Sequence, residues 1–346
     1  DRAPGRDVAA PCACRATPGR LVSDPSPVGG HPWLRWAERI AALAVILFLA
    51  WYLLRNWSEL SAHPWTVDWP RLALATLCVL AAYSGFVLCW RRILSRLGGR
   101  LSAVDAHRIW YIGNLGRYVP GKLLQLAGTA YLARAKGVSP VLSVSASLTS
   151  QVFVLAAGLV VAAATLPELG AGAAELTVLW PIGLGVAALL LVVVLTPILD
   201  VAYRLALRLV RRSEYHETVP AGERLVLLAA NLLAWGAFGT GFWLFVRAVA
   251  PIEADTLLPM IGISAAGYVG GYLAIFVPGG LGVREGLYAL LLAAYVPPSM
   301  AVAIAVFCRL WLTACELLPV SLLIGRYGLA DLRSAAPDPS PRAAHG

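Results

Sequence analysis

Runs of apolar residues, each about as long as a bilayer core is thick, recur along the chain with polar residues gathered between them. They lie at roughly 36–54, 72–90, 141–165, 177–199, 225–247, 257–277 and 301–325. A helix of ~20 apolar residues crosses a hydrocarbon core, so the pattern predicts an all-α membrane protein, a polytopic helical bundle. Shorter apolar pieces at 106–118, 122–135 and 285–296 interrupt the series. Pro120-Gly121 separates the first two, and Phe276-Val-Pro-Gly-Gly-Leu-Gly-Val-Arg-Glu-Gly286 leads into the third. Proline removes a backbone donor and glycine widens the allowed dihedrals, so both stretches break a helix. Broken backbone at membrane depth persists only where protein buries it or it lines a wet cavity.

The two breaks are related. Pro278 lies 158 positions after Pro120, and that offset needs no gap over a long stretch. Gly113 meets Gly271, Val119-Pro120-Gly121 meets Val277-Pro278-Gly279, Gly128 meets Gly286, and Val138-X-Pro140 meets Val296-X-Pro298. Residues 72–165 and 230–323 therefore read as two internal repeats.

Composition agrees with the pattern. The chain is 59% hydrophobic and 14% charged, with a mean hydropathy of +0.72, whereas soluble domains carry about a quarter charged residues. In such a chain the net charge of +9 bears on orientation before it bears on nucleic acid, because Lys and Arg collect on the cytoplasmic side. Arg91, Arg92, Arg96, Arg100 and Arg108 mark 91–108 as inside, and Arg204, Arg208, Arg211, Arg212 and Arg224 mark 200–224. Segments 166–176 and 248–256 carry only acids and read as outside. Both termini read as cytoplasmic. Arg134 and Lys136 then return 106–135 to the side it left. Its first piece, 13 residues, reaches ~20 Å, short of a ~30 Å core. The expected architecture is thus six full spans plus two re-entrant hairpins, one from each face, in inverted repeats. Their tips are Pro120-Gly121 and Pro278, Gly279, Gly280 and Gly282. Residues 33–328 form the membrane domain, between a disordered, basic 1–32 and a disordered tail, 329–346.

Ionisable groups inside such a bundle mark function by default. Arg117 and Lys122 flank the first tip, with Gln125 a turn on. Arg284 and Glu285 follow the second. Arg309 and Glu316 share a face of the last span, and Gln151 stands at the repeat position of Arg309. These eight are the candidate substrate-binding residues, the cations suited to a phosphate or similar anion. The bland alternative, that the charges pair or snorkel and the amides pack helices, stays open for each. Gly116 to Lys122 imitates a phosphate-binding loop, but Leu123 replaces its hydroxyl and Pro120 sits within it, so nucleotide binding is rejected. No metal-ligand or nucleophile spacing occurs, and neither cofactor nor nucleic-acid partner is expected.

Gly113-Asn-Leu-Gly-Arg-Tyr-Val-Pro-Gly-Lys122 with Gln125, and Phe276 to Gly286 with Arg309 downstream, resemble the lysylphosphatidylglycerol synthase transmembrane-region family over roughly 36–325. The resemblance implies the flippase-like module of the multiple peptide resistance factor, which moves aminoacylated phosphatidylglycerol between leaflets. It also implies that Glu285 and Arg309 occupy charged positions of the family pattern. Stand-alone members are in part linked to polyprenyl-phosphate sugar pathways. The sequence ends about 20 residues after its last apolar segment, so no synthase domain is expected and a lysyl lipid does not follow from the resemblance.

The expected function is translocation of an anionic phospholipid or polyprenyl-phosphate-linked lipid across the cytoplasmic membrane, by a protein that is not an enzyme. Membrane lipids are its partners; the oligomeric state, a homodimer included, stays open. A membrane-embedded enzyme or subunit of lipid or glycolipid modification, and a non-transporting scaffold, are the rival readings. Cysteines introduced at Gly170 and Ala254 should react with an impermeant thiol reagent from outside, and those at Ser95 and Glu214 only from inside. The reverse pattern would overturn the topology.

Overall fold

The computed structural model describes residues 65–118, 123–165, 179–198, 200–201, 219–274 and 280–333, with 51, 54, 55 and 58. Among them are nine α-helices and no strand. They are α1 (Trp69–Arg96), α2 (Ala103–Asn114), α3 (Leu123–Ala135), α4 (Pro140–Thr165), α5 (Leu179–Leu195), α6 (Ala221–Val249), α7 (Leu257–Leu273), α8 (Val283–Leu292) and α9 (Pro298–Arg333). Five segments are long and apolar enough to cross a membrane: Trp69–Arg96, Pro140–Thr165, Ala221–Val249, Ala254–Leu273 and Pro298–Leu322. The protein is a multi-pass helical membrane protein.

Local chemistry sets the helix ends. Asp68 caps α1, accepting from Arg71 N at 3.0 Å, and Pro70 lies in its first turn, where a missing N–H costs nothing. Ser102 caps α2 by accepting from Asp105 N at 3.0 Å. α2 tightens into a 3₁₀ turn, Leu115–Tyr118, on approach to Pro120, since proline disfavours helical backbone in the residue before it. α4 and α9 both begin on a proline, Pro140 and Pro298.

Helix directions follow from side-chain pairs. Trp65, Thr76 and Tyr83 meet Phe307, Trp311 and Glu316 in the same order, so α1 and α9 run the same way. At the end where α1 finishes, Arg92 and Arg96 pair with Glu223 in the first turn of α6, and Arg224 pairs with Asp200. At the other end Asp68 N donates to the Ala248 carbonyl at 2.9 Å, so α1 and α6 are antiparallel. The short pair α2–α3 leaves from and returns to the Arg92 end. There Arg91 Nε donates to the Leu101 carbonyl at 2.8 Å, and Lys136 Nζ meets Asp105 at 3.1 Å. Burial works against the Asp105 charge, but hydrogen bonds from Ser102 and Lys136, with Arg108 nearby, hold its pKa below the usual carboxylate range. The pair α7–α8 leaves from and returns to the opposite end, between the finish of α6 and the start of α9.

The helix order also follows the sequence offset. Adding 158 to 140–165 gives 298–323, and α9 begins at Pro298; adding it to 123–135 gives 281–293, against Val283–Leu292 for α8. Packing pairs recur across that offset: α4 against α7 and α9 against α2, α2 against α3 and α7 against α8.

The centre is aromatic. Trp235 packs edge-on to Phe86, Phe238 and Tyr268, with centroids 5.3–5.9 Å apart. Small residues let helices approach, as membrane bundles require in place of a hydrophobic drive. Gly158 faces the Trp235 ring, and Gly239 faces the backbone of Ile261. Large apolar side chains such as Leu77, Ile182, Leu189, Leu233 and Leu322 point outward and form the surface suited to lipid tails.

Some expectations differ in detail or lie elsewhere. The segment expected at 177–199 forms a helix of 17 residues, at ~25 Å near the lower limit for a span. The first arm expected for the second hairpin is itself of spanning length, Ala254–Leu273; its Pro259 falls in the first turn of α7, where a missing N–H costs nothing. α9 continues to Arg333, past the expected end at 325, although Pro319 removes one of its internal hydrogen bonds. Residues 1–32, nearly all of 36–54, the tips Pro120, Gly121, Pro278 and Gly279, and the tail after 333 lie outside the described residues.

A Cβ at Gly239 would stand 2.7 Å from Ile261 Cα, and backbone cannot swing aside. Gly239→Val should therefore lower stability by ~1–3 kcal/mol, read as a lower thermal unfolding midpoint in detergent. An unchanged midpoint would contradict the close α6–α7 contact.

Candidate functional site

A cavity of about 130 Å³ lies where α2–α3 meets α7–α8. α1 contributes Tyr83, Phe86 and Trp90, and α4 contributes Ser147, Ser150 and Gln151. α2–α3 brings Trp110, Asn114, Gln125, Leu126 and Thr129; α7–α8 brings Tyr268, Gly271, Tyr272 and Arg284. Arg284 is the one charged side chain among the described residues of these walls.

Arg284 is put there by glycine. Gly282, at φ 82°, caps α8, and Gly280, at φ 67°, lies buried against Gly271; a side chain would strain both positions. Gly271 in turn lets the first turn of α8 close on α7, since a Cβ there would stand 2.8 Å from Arg284 Cβ. The guanidinium is 7% exposed. It lies between two rings, 5.1 Å from the Tyr268 centroid and 5.5 Å from that of Tyr288. Nε donates to Tyr288 Oη at 3.2 Å, and Tyr288 donates on to the Ser264 carbonyl at 3.4 Å. Nη2 is buried with no partner. No carboxylate of the described residues lies within ion-pair distance of this guanidinium.

Across the cavity, Gln125 Nε2 donates to Asn114 Oδ1, which leaves Asn114 Nδ2 buried and unpartnered. Gln151 Nε2 is likewise unpartnered. Asn114, Gln151 and Arg284, from three different elements, thus line one hollow, and each keeps a buried donor without a partner. Unsatisfied buried donors are uncommon and costly, so the arrangement calls for an acceptor-rich guest, and the cation for an anionic one.

The other candidate residues stand apart from these walls. Glu285, 3% exposed, turns the opposite way. Its Oε2 accepts from Gly282 N at 2.6 Å, closing the N-terminus of α8, and its Oε1 faces Arg309 Nη1 at 3.5 Å. Glu316 accepts from Tyr83 Oη at 3.2 Å, so it touches the back of a cavity residue and not the cavity. Lys122 lies outside the described residues, as does the side chain of Arg117. Gln125, Gln151 and Arg284 therefore come together, Glu285 and Arg309 form a pair beside them, and Glu316 sits behind Tyr83. Asn114, not among the eight candidates, also lines the hollow. So do Trp110 and Tyr268, which the 158-residue offset brings into register and which that offset could have found.

A family model described as lysylphosphatidylglycerol synthase TM region matches residues 39–318. No curated protein matches the chain significantly.

Removing one partner of a buried ion pair strands the other, at roughly 3–5 kcal/mol, whereas removing both costs far less. Arg309→Gln should accordingly destabilise the protein more than Glu285→Gln/Arg309→Gln does, as followed by unfolding in detergent. A double variant less stable than Arg309→Gln would contradict the pairing.

Proposed function

The chain belongs to the lysylphosphatidylglycerol synthase TM-region family, and from that premise we propose that it is a lipid translocase, not an enzyme, moving an anionic headgroup across the cytoplasmic membrane. The observation that carries this reading is the hollow lined by Arg284, Asn114 and Gln151, each with a buried donor left unpartnered, in a bundle with five segments of membrane length. A phosphate entering there gives each donor an acceptor and the guanidinium its counter-charge. Charge-assisted bonds of this kind are the strong ones. Acyl or prenyl tails stay in the hydrocarbon along the outward leucines while the headgroup crosses.

In this proposal α2–α3 and α7–α8 are re-entrant hairpins of two inverted repeats. Support comes from their leaving and returning at opposite ends of the bundle, and from the match of helix bounds at the offset of 158. Inverted repeats with broken helices meeting near midplane are a transporter architecture, worked by rocking one repeat against the other. The Arg92 and Glu223 end faces the cytoplasm, following the Lys and Arg bias. The headgroup is then offered first to one leaflet and then to the other.

The test is leaflet exchange of a fluorescent anionic phospholipid in vesicles holding the purified protein. Arg284→Gln should slow exchange at least about tenfold, the loss of one charge-assisted contact, with insertion unchanged. Equal exchange in the variant, or a chemically modified lipid product in place of exchange, would contradict the reading.

A further inference from the structure

Resting on that reading, we propose that the cavity selects a phosphate-bearing headgroup that carries no amine, so that a lipid with a bare polyol phosphodiester is moved in preference to its aminoacylated form. The cavity offers donors and one cation. Among its described walls there is no carboxylate. The two acids nearby are engaged elsewhere, Glu285 with Gly282 N and Arg309 and Glu316 with Tyr83. An ammonium brought in on a lysyl arm would thus meet a guanidinium and free N–H groups, a like-charge juxtaposition that discriminates against it.

Aromatic faces could attract a cation, but two of the rings here already have partners. Tyr268 lies against the Arg284 guanidinium at 5.1 Å, and Trp110 packs on Tyr83 and Tyr111 at 5.9 and 5.2 Å. The counterparts of Arg284 and Glu285 at the offset of 158 are Leu126 and Ala127, so that register position brings no acid from the first half.

The experiment compares exchange of acyl-labelled phosphatidylglycerol, its lysyl ester and phosphatidylethanolamine in vesicles holding the full chain. Phosphatidylglycerol should exchange at least about tenfold faster than either amine-bearing lipid. Exchange of the lysyl ester at an equal or higher rate would overturn the preference while leaving translocation intact. No acceleration of any lipid over protein-free vesicles would overturn the translocation reading and the preference with it. Gln151→Glu places a carboxylate on the cavity wall with little change of shape. It should slow phosphatidylglycerol and speed the lysyl ester; an unchanged ratio would count against the charge argument. An unlabelled polyprenyl phosphate, added as competitor, tells whether the same headgroup chemistry is also accepted on an isoprenoid tail; competition by it and not by the lysyl ester supports the proposal, and the converse overturns it.

Discussion

A guanidinium held away from water without a carboxylate beside it is the constraint that organises this protein. Arg284 is 7% exposed and is met by two tyrosine rings and one phenol oxygen. Those contacts orient the group but leave its charge unbalanced, and an unbalanced buried charge is expensive in a low-dielectric interior. The geometry around it has the marks of a position maintained for a purpose. Two positive-φ glycines shape the entry to α8, Gly271 lets α7 approach, and Glu285 fixes the first turn from behind.

The division of labour between neighbouring charges follows from this. Arg284 and Glu285 are adjacent in sequence, so on one helical turn their side chains leave in different directions. One points to the cavity, the other to Gly282 N and Arg309. The carboxylate that might have neutralised the guanidinium is spent on holding α8 and balancing Arg309 instead. The guanidinium is thereby left without a counter-charge among the described residues, while Glu285 and Arg309 face each other.

Much of the fold was legible because bilayers impose a length and proline imposes a break. The apolar runs at 72–90, 141–165, 225–247 and 301–325 each sit within a helix of spanning length, Pro120 stands between the short helices α2 and α3, and Pro278 stands between α7 and α8. The site was legible only in part. Arg284, Gln125 and Gln151 could be singled out because polar groups are rare in such segments. The direction of Glu285 could not, since sequence gives adjacency but not which side of a turn the backbone presents. Nor could Trp110 and Tyr268 be told from packing aromatics, because in an apolar helix a ring facing a cavity and a ring facing a neighbour look the same. Asn114 escaped notice for a related reason: its amide packs against Gln125 as a packing amide would, but only one end of it is used.

The account's central claim is that Arg284 holds a headgroup phosphate. Mass spectrometry of lipids retained on gently purified protein addresses it most directly, comparing the native chain with Arg284→Gln. The account predicts an amine-free phosphate lipid bound to the native protein and depleted from the variant. Equal retention by both, or retention of only amine-bearing or uncharged lipids, would contradict it.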